Sequence, residues 1–110
     1  MNPALTKAQR RRIRELAQIA YDRELSVQLG HLETEFKRWR SGEIDSFALS
    51  ERLHRFHQGP AQDLYSKYAD SDLDWPVANA IHRGIIRPDE TDAFTLEALA
   101  SQLAFLRSQG

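Results

Sequence analysis

The sequence predicts an all-α bundle of four to five helices, built on a long antiparallel αα-hairpin. Apolar residues recur at spacings of three and four through most of its 110 residues. No segment alternates apolar and polar residues for long enough to read as a strand, and no proline stands between Pro3 and Pro60.

The first helix starts after Thr6, whose hydroxyl suits an N-cap. It ends at Ser41-Gly42, where glycine can take the left-handed backbone and Lys37, Arg38 and Arg40 meet the negative end of the helix dipole. Leu25, Leu29, Leu32, Phe36 and Trp39 form one apolar stripe. Ile13, Leu16, Ala17 and Ala20 form another, centred about 130° around the axis at 100° per residue. Such a helix needs two partners: either its halves pack on different elements, or it bends or breaks near Asp22 to Ser26.

Asp45 or Ser46 caps the second helix, which buries Leu49, Leu53, Phe56 and later Leu64 and Tyr68. Folding back at residues 41–44 sets Phe36 beside Leu49, Leu32 beside Leu53 and Leu29 beside Phe56. Gly59-Pro60 should kink or restart this helix, because proline has no N–H to donate and crowds the carbonyl four residues back. After the acidic turn of residues 69–74, a short helix begins at Trp75-Pro76 and runs to about Arg83, with Gly84 closing it. Residues 85–90 connect to a last helix capped by Thr95 and buried through Leu96, Leu99, Ala100, Leu103 and Leu106.

These elements suit one domain spanning residues 1–110, with 41% hydrophobic and 28% charged residues, the proportions of an ordinary globular chain. No apolar run approaches the roughly 20 residues a bilayer requires, and Arg10, Arg11 and Arg12 are followed by no signal-like stretch. The chain has no cysteine, which excludes disulfides, thiolate metal sites and cysteine nucleophiles and favours a cytoplasmic setting. Residues 1–41 hold nine Lys/Arg against five Asp/Glu, whereas residues 42–110 hold six against eleven. The two halves either neutralise each other within one fold or favour self-association.

Glu51-x-x-His54-x-x-His57 is the most suggestive motif for chemistry, since residues three apart on a helix can share a metal ion. The hairpin would bring His31 opposite His54, with Glu35 one turn away, so a metal ion is the one cofactor to consider. Glu51 points away from the apolar stripe, however, and a carboxylate-bridged di-metal bundle needs a second Glu-x-x-His that the chain lacks. Lys7, Arg10, Arg11, Arg12 and Arg14 form a positive strip suited to nucleic-acid phosphates or to an acidic protein surface, the chain's own C-terminal half included. Trp39, Phe36, Phe56, Tyr65, Tyr68 and Trp75 could line a pocket, but helical spacing favours core, and both tyrosine hydroxyls need water or a partner. Phosphate-binding glycine loops, nucleophile elbows and H-E-x-x-H are absent, which argues against an enzyme.

The segment Arg52-Leu-His54-Arg-Phe-His57-Gln-Gly59-Pro-Ala-Gln-Asp-Leu64-Tyr65, after Ser41-Gly42-Glu43-Ile44, resembles a pattern in small uncharacterised bacterial helical proteins. The resemblance implies a bacterial cytoplasmic setting and no catalytic residue. Taken together, the residues favour a non-enzymatic regulatory or scaffolding protein. It would act on another protein or as a homodimer, through the stripe of Ile13, Leu16, Ala17 and Ala20 that the hairpin leaves uncovered, unless the chain's own C-terminal helices cover that stripe instead.

Overall fold

A computed structural model describes residues 5–109, and every regular element among them is helical. Helix α1 spans Lys7–Arg40. Thr6 caps it reciprocally with Gln9: the Gln9 N–H donates to Thr6 Oγ1, and the Thr6 N–H donates to Gln9 Oε1, both at 3.0 Å. At the other end Gly42 adopts φ +81°, which lets the Glu43 N–H turn back to the Arg38 carbonyl at 2.9 Å.

Helix α2 (Ser46–Phe56) follows, capped by the Asp45 carboxylate on the Ala48 N–H at 2.8 Å. Pro60 neither breaks nor restarts this rod. Residues His57–Ala61 form one wide π turn, and α3 (Gln62–Tyr68) continues directly from it with helical dihedrals throughout. The extra residue in a π turn moves the carbonyl of Phe56 away from the proline ring and removes the demand for the missing N–H.

Helix α4 (Asp74–His82) ends at Gly84, at φ +78°. A single 3₁₀ turn, Pro88–Glu90, leads to α5 (Ala93–Ala98), and α6 (Ala100–Gln109) runs on after an interruption at Leu99. Asp92, not Thr95, caps α5: its carboxylate accepts from the Thr95 N–H at 2.7 Å, and Thr95 is itself buried in the first turn. Among the described residues, six α-helical segments therefore make four rods.

The core sits at one end of the molecule. Ile13, Leu16, Ala17 and Ala20 of α1 pack with Tyr68, with Val77, Ala78 and Ala80 of α4, and with Ile86, Leu99 and Leu103. This corrects the expectation that the four α1 residues are an uncovered self-association stripe: Leu16 and Ala20 are 0% exposed within the single chain. The covering comes from apolar positions far along the sequence, on α4, the connector and the last rod, whose own stripes also needed burial. Of the two alternatives for α1, its halves pack on different elements and the helix stays unbroken.

The result is a head and an arm. The head is the first half of α1 wrapped by α3 to α6, and the arm is the second half of α1 paired antiparallel with α2. The long extent of the molecule is 57 Å against 25 and 24 Å across.

Candidate interaction surface

One hydrogen bond and one ion pair fix how the arm closes. Trp39 Nε1 donates to Ser46 Oγ at 3.0 Å beside the turn, and Arg52 Nε meets Glu35 Oε2 at 2.7 Å further along. Glu35 also accepts from Arg38 at 3.1 and 3.2 Å, while Arg38 reaches Glu43 at 2.6 Å. These carboxylates raise the pKa of Arg38, Glu43 first and then Glu35, so one edge of the hairpin is a charged ladder. A shallow cleft of about 270 Å³ opens on that edge, with His31, Glu35, Arg52 and Arg55 on its walls.

The opposite edge is apolar and open. Leu25, Leu29, Leu32 and Phe36 fall within about 60° of one another around α1 at 100° per residue. Helix α2 packs against their Glu35 and Trp39 flank, so it covers the stripe from one side only. Leu29 remains 48% exposed and Phe36 38%. On α2, Leu49 is buried, whereas Leu53, turned 100° from Arg52, is 36% exposed on the same side as the α1 stripe. The two stripes thus meet at their margins: Leu49 is buried and Leu25, Leu32 and Phe56 are half-buried, while Leu29, Phe36 and Leu53 are left in part to solvent. Phe47, the most exposed apolar residue of the arm at 87%, lies on the outer side of α2.

The residues proposed for a metal site are not assembled. Glu51 pairs with Arg55 at 3.0 Å, Glu35 pairs with Arg38 and Arg52, and His31, His54 and His57 are exposed. Among the described residues no group of three or more histidines and carboxylates is placed to hold a metal ion. The reason is rotational: His31 lies on the cleft edge with Arg52 and Arg55, and neither His54 nor His57 lines that cleft.

The basic strip is divided by the fold. Arg12 turns inward, donating to Glu15 at 3.0 Å and to the Glu90 carbonyl at 2.6 Å. Arg10 and Arg14 border a groove of about 360 Å³ whose other wall carries Asp72 and Asp74. Lys7 and Arg11 are exposed. The positive N-terminal half thereby meets the negative C-terminal half within one chain. Burial, with Asp72 nearby, raises the pKa of Asp74. The six aromatic candidates do not gather into one pocket: Tyr68 is in the head core, Trp75 stacks edge-on with Phe105 at 5.5 Å, and Tyr65 is exposed.

Where arm joins head, a polar network appears that sequence reasoning missed. Glu24 accepts from Tyr68 Oη at 2.5 Å, from Lys67 Nζ at 3.3 Å and from Arg83 at 2.9 Å. Burial pushes the Glu24 carboxyl up, but the Tyr68 hydrogen bond and the two cations outweigh it and hold the pKa below its ordinary value. Burial and the same hydrogen bond raise that of Tyr68. The neighbouring residue, Arg23, grips Glu90 with two nitrogens, at 2.7 and 2.5 Å, and donates to the Ile85 carbonyl at 2.8 Å. The Arg23 hydrogen bond, helped by the Arg87 N–H, lowers the Glu90 pKa to about 2. Arg23, Glu24 and Arg83 line a recess of about 340 Å³ with Val27, Leu64 and Ile85. The only hint in the sequence was the need of Tyr68 for a partner, because Glu24 and Glu90 find theirs 44 and 67 residues away.

No helix among the described residues is long and apolar enough to cross a membrane. A scan against protein-family models finds no match for the chain, and searches of curated proteins and of solved structures find none either.

Proposed function

We propose that this protein is a non-enzymatic interaction module of the bacterial cytoplasm, in which the head is a folded anchor and the arm presents the binding face. One observation carries the reading: Leu29, Phe36 and Leu53 are each more than a third exposed on one side of a hairpin whose other side carries ion pairs. Apolar side chains held on a regular scaffold and rimmed by charge are what a protein partner buries. The regulatory or scaffolding role expected from the sequence is kept, but its surface moves from the first half of α1 to the second.

Site-specific photo-crosslinking in cells tests the reading. A crosslinking residue at position 29, 36 or 53 is expected to give defined protein adducts. The same residue in place of Thr34, exposed on another side of α1, is expected to give none. Equal adducts from all four positions, or none from the first three, would overturn the proposal.

A further inference from the structure

The geometry points to a second copy of this chain as the occupant of the apolar side of the arm, laid antiparallel so that two hairpins close a four-helix bundle. This inference rests on the reading of the arm as an interface and names its partner.

Three observations choose that occupant. First, the stripe Leu25, Leu29, Leu32, Phe36 has spacings of four, three and four, which read alike in both directions. Two such stripes related by a twofold axis set Leu25 against the partner's Phe36 and Leu29 against the partner's Leu32, in the isologous manner of a closed dimer. Leu53 extends the same side, so each copy contributes the two helices a four-helix bundle requires.

Second, the edge of the stripe is charged with opposite signs at its two ends. Asp22 and Arg40 stand eighteen residues apart, five whole turns, and so lie on one edge of α1 about 27 Å from each other. Among the described residues neither forms an ion pair, and Arg40 rests over the Trp39 ring at 5.7 Å. Glu33, nearer the middle of that edge, is already paired with Lys37 at 3.8 Å. An antiparallel pair brings each Asp22 to the partner's Arg40, twice per dimer. A parallel pair brings like charge to like.

Third, the bulk of the molecule is at one end. The head packs on a face of α1 turned about 130° from the stripe and so away from a partner, and antiparallel arms place the two heads at opposite ends of the bundle.

Sedimentation equilibrium of the full chain over a wide concentration range tests the inference. A reversible dimer is expected, and Phe36→Glu should leave a helical monomer by circular dichroism. Asp22→Arg and Arg40→Asp should each weaken association roughly tenfold at low salt, and the two together should restore it, because the reversed pair attracts as the native one does. A chain that sediments as a monomer throughout, or a dimer indifferent to both charge reversals, would overturn the antiparallel dimer. The outcomes also separate the two claims. A monomer that still crosslinks another protein through positions 29 and 36 refutes the second copy and keeps the arm as an interface. A dimer unaffected by Phe36→Glu, with no adducts from the arm, refutes both.

Discussion

Tyr68 and Glu24 share a hydrogen bond of 2.5 Å at the junction of arm and head, joining the last residue of α3 to the middle of α1. The Tyr68 ring also stacks on Tyr21, centroid to centroid at 5.3 Å. One side chain therefore carries the end of the second rod into both the apolar core and the polar network. Glu24→Gln should cost about 2 kcal/mol in urea unfolding, since it leaves two cations beside a carboxamide, and Tyr68→Phe about 1 kcal/mol. If the two losses add in the double variant, the pair is not coupled and the network has been misread.

Acid should loosen the same region in a defined window. Glu90 and Glu24 have folded pKa values below their unfolded ones, so the stability they contribute is complete above pH 4.5 and is lost as pH falls through the folded values, about 2 for Glu90. Asp74, whose folded pKa is raised, acts in the other direction and partly offsets the loss as it takes up a proton. Unfolding measured by circular dichroism between pH 5 and pH 2 should therefore show a steeper decline in the native chain than in Glu90→Gln.

Leu16 and Leu29 lie on one helix and should respond very differently to truncation. Leu16 is 0% exposed, and Leu16→Ala should destabilise the chain by about 3 kcal/mol through lost burial and the cavity left behind. Leu29, at 48% exposure, should lose less than about 1 kcal/mol in the dilute chain. Denaturant midpoints settle the order; a larger loss at Leu29 would return the covered stripe to the second half of α1.

Pro60→Ala tests the π turn. Restoring the N–H allows the rod to tighten toward a regular helix, so helicity should be retained and stability should rise by about 1 kcal/mol. A fall in stability would mean that the wide turn is needed to place Tyr68 on Glu24.

Much of this architecture could be read from local spacing. The ends of α1 follow from Thr6 and from Ser41-Gly42, the fold-back from the short turn before Asp45, and the all-α class from the three-and-four periodicity. Those features depend on neighbours within a few residues, where caps, glycine conformation and side-chain period act directly. Pro60 and Thr95 are less legible, since whether a helix restarts at a proline or widens around it, and which of two polar residues caps it, depends on what packs around them.

The chain's own order of residues determined that α1 carries two apolar faces pointing about 130° apart. Only the tertiary structure decided which is hidden. The shorter helices at the end of the chain could close over Ile13 and Leu16 and not reach Leu29 and Phe36, because α4 is nine residues long and the last rod is broken at Leu99. What a helix needs buried is written in its periodicity, but what arrives to bury it depends on the lengths and attachment points of distant elements, and so the exposed side of this protein became visible only in three dimensions.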